Sequence, residues 1–477
     1  MEIRALRILF ITPPNFRFRG ATSKNMIMGP AYLTSMLKND HDVINYDCEA
    51  LSEHELKLCK HGHTSYDYLA NTHKMYLEGL KDKYHPIWKE IEEVVVSFSP
   101  DIVGLSTMTN SYPAALIIAK IVKKISKATV IMGGSHPTIL SEEVAEDDNV
   151  DFVVKGEGEN TIVDLVNCIE QKIDPISVRG ILYKKDGKII KTPDRGFIKN
   201  LDLIPFPDKN SFLFPERFTK SSFSNILAGR GCPWQCHFCA TCALWGRNLR
   251  MRSAENIFNE IMIIKRKYGN IINFMDDNFM VYKKTLFDLC YFIMRKNLNI
   301  SWRCQAHVDT IDKEKLAVIK DAGCWDITLG IESGSDRMLT YINKRLSIKK
   351  IMQVVEMIIK SGIQLSVNFM FGLPEETWED MQKTLNLIKE IPANNIAISK
   401  FIPLPGTKLY RDVMNLGLIK DNPPRYEHFD LYSNYYHFPL HISRERLNEF
   451  SFEVFKMVVE KNEKTRIGLP ENAVLFG

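Results

Sequence analysis

No apolar run in this sequence approaches the ~18–20 residues that a helix needs to cross a bilayer, so no membrane span is expected. The start, MEIRALRILFITPPN, is apolar only over residues 6–11 and runs into Pro-Pro without a small-residue cleavage pattern. That is too short for the core of a signal peptide, and it reads as a first β-strand. Without a secretion signal the expected compartment is the reducing cytoplasm, where structural disulfides are rare. Charge of one sign is also scarce: 62 Lys and Arg against 58 Asp and Glu leave a net +4, and nothing announces a nucleic-acid partner. No long low-complexity segment and no short tandem repeat is present. What is present, 45% hydrophobic and 25% charged residues in a chain of 477, suits a soluble globular protein of two or three domains with a large core.

Residues 1–165 alternate strand and helix signals. Strand candidates are LRILFIT (6–12), HDVINYDC (41–48), PDIVGLSTMT (100–109), ATVIMGGSHPT (128–138) and VDFVVKGEGE (150–159). PAYLTSMLKN (30–39) and YPAALIIAKIVKKI (112–125) carry helical apolar spacing, and a polar, mostly helical stretch runs to about residue 99. The alternation predicts an α/β fold, a doubly wound, Rossmann-like parallel sheet with helices on both faces. Ligands of such sheets sit outside the carboxyl ends of the strands, here residues 12–14, 106–109, 133–138 and 156–159. Small residues there let a large flat ligand approach the backbone.

Residues 166–221 are expected to link domains: GILYKKDGKII reads as a β-hairpin turning at Asp186-Gly187, and LDLIPFPDKNSF as a proline-marked connector. Residues 222–415 alternate again, with strand candidates NILAG (225–229), IINFMDD (271–277), ISWRCQA (300–306), WDITLGIES (325–333), LSVNFMFG (365–372) and IAISKFIP (396–403). Six such units predict a partial (βα)6 barrel rather than a closed barrel of eight strands. Residues 416–477 read as a helical C-terminal region without a motif.

The segment GRGCPWQCHFCATC (229–242) holds four of the ten cysteines: Cys232, Cys236, Cys239 and Cys242. It lacks the second, separated Cys-x2-Cys knuckle that zinc sites usually present, although His237 lies among the thiols. A redox pair needs only two cysteines. Three thiolates on a short loop after a strand suit an iron–sulfur cluster. On a four-iron cube, three protein ligands leave one iron open for a substrate or cofactor. Zinc stays as the alternative, and Cys242 reads either as a spectator or as a nearby functional thiol.

Cys232-x3-Cys236-x2-Cys239, after a strand and with Phe238 ahead of the last thiol, resembles the signature of radical S-adenosylmethionine (SAM) enzymes. FMDDNF (274–279), GIESGSDRML (330–339), FGLPEET (371–377) and PLPGTKLY (403–410) fit the same family. PDIVGLSTMTNSYPAAL, GGSHPT and VVKGEGE resemble the cobalamin-binding domain fused to one large radical SAM subclass. The resemblance covers about residues 5–415.

It implies a [4Fe–4S] cluster on Cys232, Cys236 and Cys239, SAM chelated at the open iron, and cleavage of SAM to methionine and a 5′-deoxyadenosyl radical. Asp276, Asp277, Arg303, Glu332 and Ser333 are the candidate SAM contacts: acids for an ammonium or ribose, and an Arg fork for a carboxylate. Asp276 and Asp277 also read as helix caps, and Arg303 as half of an ion pair. Ser106, Thr107, Gly133, Gly134 and Glu157 are the candidate cobalamin contacts. The Asp-x-His-x-x-Gly motif that supplies an axial histidine in many cobalamin domains is missing, and His136 is the nearest substitute by position. The implied partners are a small-molecule or peptide substrate and an electron donor such as flavodoxin or ferredoxin. The leading expectation is methylation of an unactivated carbon or phosphorus; the alternatives are a cyclase of the tetrapyrrole type and a non-catalytic cobalamin or cluster sensor. No catalytic residue is assigned.

Overall fold

The computed structural model describes residues 4–20, 26–52, 55 and 66–465. Among the described residues the strands form a seven-stranded sheet, a six-stranded sheet and a two-stranded ladder.

β1 (Arg7–Thr12) is apolar and buried on both faces, as a central strand of a parallel sheet must be. It pairs in parallel with β2 (Asp42–Asp47) and β3 (Ile102–Ser106), and β4 (Thr129–Gly133) and β5 (Phe152–Val154) extend the parallel order. This is the doubly wound sheet expected from the alternation. β6 (Ile181–Lys185) and β7 (Lys188–Lys191) then add antiparallel beside β5. The division expected at residue 165 therefore falls inside the helix Gly158–Gln171, and the hairpin placed in a 166–221 linker is the edge of the first sheet. The hairpin satisfies backbone groups that β5 would otherwise leave open; its own pattern cannot say which strand it will join. Beyond it the chain crosses over in short turns. Leu201, Ile204, Phe212 and Phe223 pack there against Met28, Ala31 and Tyr32 of the helix Met28–Leu37.

The second sheet consists of β8 (Asn225–Ile226), β11 (Ile271–Phe274), β12 (Ser301–Ala306), β13 (Cys324–Glu332), β14 (Gln364–Phe371) and β15 (Asn395–Lys400), all parallel and neighbours in chain order. β9 (Gly229–Arg230) and β10 (Arg250–Met251) form the small ladder. Each of the six strands falls on a stretch expected from sequence. The helices between them bury one stripe: in Ile348–Lys360 it is Ile351, Val354, Val355 and Ile358, the i, i+3, i+4, i+7 spacing of an amphipathic helix.

The C-terminal region carries the expected helix after an irregular approach. Residues 416–443 are mostly irregular, and one helix, Arg444–Thr465, follows; residues 466–477 lie outside the described residues. That helix covers the open edge at β15. The Ile396 amide donates to Asn462 Oδ1 at 2.9 Å, and Asn462 Nδ2 donates to the Ile396 carbonyl at 2.8 Å. A side-chain amide thus takes the place of a neighbouring strand.

Candidate active site

β9 and β10 pair Gly229 with Met251 and Arg230 with Arg250, so residues 231–249 leave and return at one point. Buried Asp276, after β11, holds the entry: the Ala228 and Gly229 amides donate to its carboxylate at 3.0 and 2.5 Å. Burial pushes this carboxyl up to about 7, against the pull of those two amides. Within the loop the Cys239 amide donates to the Cys236 carbonyl at 3.2 Å. His237 pins the loop to later segments: its amide donates to the Ile342 carbonyl (2.9 Å), Nδ1 lies 2.8 Å from the Tyr341 carbonyl, and its own carbonyl accepts from the Leu409 amide (3.0 Å).

The four thiols are free and partly exposed. Cys242 Sγ donates to the carbonyls of Trp234 (3.1 Å) and Cys232 (3.5 Å), which makes it a brace of the loop. Burial pushes the Cys232 thiol up to about 12 and Cys236 up to about 11. A thiol ligates iron only as thiolate, so loading the loop releases protons. Among the described residues no three His, Cys, Asp or Glu side chains converge as ligands of one ion.

The expected SAM contacts divide. Asp277 and Glu332 act electrostatically on the thiols, Asp277 on Cys232 and Cys242, and Glu332 on Cys236. Asp277 is exposed to solvent, yet surrounding protein raises its carboxyl, opposed by a hydrogen bond from Thr241. The structure commits Asp276, Arg303 and Ser333 to partners within the protein, and Glu332 also pairs with Lys344 at 3.0 Å. Asp276 holds the loop entry. Arg303 is buried, with Nε 3.7 Å from Asp326 Oδ2 and Nη2 3.4 Å from Thr328 Oγ1. Ser333 is fully buried, its hydroxyl 3.2 Å from Thr384 Oγ1.

At the first sheet, Ser106, Gly133, Gly134 and Glu157 line one cavity of about 880 Å³, part of it open to solvent. Its body is apolar (Phe10, Leu33, Ile131, Val154, Ile162), and Leu227, Arg230 and Trp245 close it from the segment that carries the cysteine loop. Thr107 lies beneath, not in the wall: its amide donates to the Gly133 carbonyl at 2.8 Å, and buried Oγ1 has no hydrogen-bond partner among the described residues. Gly134 is required there. Its φ is 113°, and a Cβ would stand 2.5 Å from the Thr107 carbonyl oxygen. His136 is outside the cavity lining, stacked on Tyr112 (4.1 Å) and edge-on to Tyr426 (4.7 Å); burial lowers its imidazole to about 3.

Sequence reasoning named Glu157 but missed its partners Glu159, Arg230 and Arg250, and it missed Lys344. Glu157 and Glu159 form a buried ion cluster with Arg230 and Arg250: Glu157 Oε1 lies 3.0 Å from Arg230 and 2.6 Å from Arg250, and Arg230 also pairs with Glu159. Arg230 thus lines the cavity two residues ahead of Cys232. Lys344 is buried and pairs with Glu332 at 3.0 Å. Burial would lower its ammonium, but Glu332 and the sulfurs of Cys236 and Cys239 raise it. A lone lysine 12 residues beyond Glu332 carries no sequence signal.

Comparison with known proteins decides the family. The B12 binding domain profile matches residues 26–166 and the radical SAM superfamily profile matches residues 226–388. An uncharacterized methyltransferase of Pyrococcus horikoshii is 30% identical over 447 residues, covering 91% of this chain and 89% of the relative. The chain belongs to the radical SAM enzymes that carry a cobalamin-binding domain. Its cofactors are a [4Fe–4S] cluster, SAM and cobalamin. An anaerobic magnesium-protoporphyrin IX monomethyl ester cyclase of Rubrivivax gelatinosus is 26% identical, over 68% of this chain and 60% of that protein. The fold matches a radical SAM methyltransferase, TsrM, from Kitasatospora setae, solved with cobalamin and a [4Fe–4S] cluster. Its TM-score is 0.70 at 14% identity, over 99% of this chain and 94% of the other.

Proposed function

We propose that this protein is a cobalamin-dependent radical SAM methyltransferase acting on an unactivated carbon or phosphorus centre. One observation carries the reading. The cysteine loop and the glycine-lined cavity share a wall, because Arg230 lines the cavity and stands two residues before Cys232. Two cofactor sites with a common wall suit a reaction that uses both.

Cys232, Cys236 and Cys239 would hold the cluster, which supplies the electron for SAM cleavage. The cavity bounded by Ser106, Gly133, Gly134 and Glu157 would hold part of the cobalamin, which carries the methyl group. The protein's own contribution is positional. Asp276 and the β9–β10 ladder fix where the loop begins and ends, His237 fixes its middle, and Cys242 ties its two arms. Asp277 and Glu332 present carboxylates beside the thiols, where the amino group and ribose of SAM need acceptors. The same methyltransferase name on the Pyrococcus horikoshii relative, which spans nearly the whole chain, supports methyl transfer over ring closure. The substrate would be a small molecule or a peptide. The electron would come from a small carrier protein of the flavodoxin or ferredoxin class, and a cytoplasmic location follows from that supply.

The test is anaerobic reconstitution followed by metal analysis and turnover with methyl-labelled SAM. About four irons per chain, a corrin absorption band, and reductant-dependent 5′-deoxyadenosine are the expected results. Label entering a product supports methyl transfer; an unlabelled cyclised product would move the protein to the cyclase class. Absence of 5′-deoxyadenosine from iron-loaded protein would refute the radical reading.

A further inference from the structure

Eight non-glycine residues in the described chain have left-handed backbone, and three of them, Glu332 (φ 72°), Asn343 (54°) and Arg345 (57°), surround one ion pair. Such backbone is costly for an L-residue and persists where the surroundings enforce it. Glu332 emerges where the β13–β14 register shifts, between Gly330 and Glu332. Lys344 lies between the two left-handed residues of its loop. Its Nζ is 3.0 Å from Glu332 Oε1 and 5.8 Å from the ring centroid of Phe238, which stands between Cys236 and Cys239 in the chain. A Cβ at position 330 would sit 2.3 Å from Glu332 Oε1 and 3.0 Å from Lys344 Nζ, so Gly330 is what leaves room for the pair. Lys344 is 7% exposed. A bulge, a glycine and three strained residues thus aim one buried cation at the cysteine loop.

We propose that the Lys344 ammonium is a fixed positive charge that sets the reduction potential of the cluster on Cys232, Cys236 and Cys239, with Glu332 as the residue that positions it. The step is the addition of one electron to the oxidised cluster from a one-electron carrier protein, with no bond made or broken. A cluster with three thiolates becomes more negative on reduction. A nearby cation in a poorly solvated site stabilises that added charge far more than it would in water. Lys344 is a positioning and electrostatic residue here, and the inference rests on the iron–sulfur reading above.

The experiment is a potentiometric titration of the reconstituted protein, followed by electron paramagnetic resonance, with iron counted for every variant. Lys344→Gln should shift the midpoint to more negative potential, and Lys344→Arg should stay near the wild type. Glu332→Gln removes a negative charge and should shift the midpoint the other way. Opposite shifts are not what general damage to the loop produces. Iron-loaded Lys344→Gln with a wild-type midpoint would overturn the proposal. If Lys344→Gln cannot hold iron, Glu332→Gln decides: an unchanged or more negative midpoint overturns it equally. A wild-type chain that takes up no iron refutes the cluster itself, which is a separate result.

Discussion

Glu157→Ala is the most direct test of how the two sheets are held together at the site. Glu157 has its side chain 2% exposed, Arg230 6% and Arg250 10%. Its Oε1 faces both guanidiniums, and its Oε2 accepts from the Ile198 amide at 2.6 Å. Removing one partner of a buried pair costs about 3–5 kcal/mol, because the other charge stays buried. Arg230 keeps Glu159. Arg250 keeps the carbonyls of Ile198 (2.9 Å) and Trp245 (3.3 Å) and the ring of Phe197, 4.7 Å away, but no carboxylate. The alanine variant should therefore fall in the upper half of that range. Glu157→Gln retains an acceptor for Ile198 and should lie near its lower end, about 3 kcal/mol. Lys284→Ala is the control, because the Lys284–Asp288 pair is exposed (89% and 45%) and such pairs contribute about 0–1 kcal/mol. Guanidinium unfolding of cofactor-free protein, read by tryptophan fluorescence, measures the series. Amide exchange should rise over residues 229–251 in the same order. A Glu157→Ala variant no less stable than Lys284→Ala would refute the claim that this cluster clamps the cysteine loop to the first sheet.

Cys242→Ala should reconstitute with wild-type iron content, since its thiol faces carbonyls of its own loop, whereas Cys239→Ala should lose the cluster; iron analysis and the visible spectrum separate them. Gly29 lines the cavity and has only Ser106 Oγ within 4 Å of a Cβ position, at 3.8 Å. Gly29→Leu should fill the space, lowering cobalt content and leaving iron unchanged; equal cobalt in both proteins would place cobalamin elsewhere. Burial raises the Glu90 carboxyl, but hydrogen bonds from Arg17, Arg217 and Tyr46 outweigh it and bring it from 4.5 down to about 2. A lowered carboxyl contributes stability above its unfolded value that is lost as pH falls through the folded one. Between pH 4.5 and about 2 the wild type should lose stability more steeply than Glu90→Gln, as read by unfolding midpoints across that window. Parallel curves would show that this network adds nothing.

Much of the architecture was legible because its signals are local. Each barrel strand is a short apolar run bounded by a turn, and each helix carries its stripe within a dozen residues. The cysteine spacing is likewise confined to one loop, so the chemistry it supports could be read without a fold. The side chains around it could not. Arg303 looked like a fork for a carboxylate ligand, but Arg303 and Asp326 are register partners across β12 and β13, and register depends on pairing that one strand does not encode. Asp276 and Asp277 are adjacent in sequence, yet one binds the backbone amides of Ala228 and Gly229 while the other is exposed beside the thiols. Ser333 turned inward to Thr384, 51 positions on.

The sequence by itself determined the two α/β units, most of their strands and the thiols that can hold iron, since periodicity and close spacing survive in a linear string. Only the tertiary structure decided which acids stand beside the loop, that β6 and β7 complete the first sheet, and that Glu157 meets Arg230, 73 residues away. It also decided that Lys344 is buried against Glu332. Each of these depends on a charge or an open backbone edge finding its counterpart across the fold, and the energy of such a pairing exists only once burial removes water from both sides.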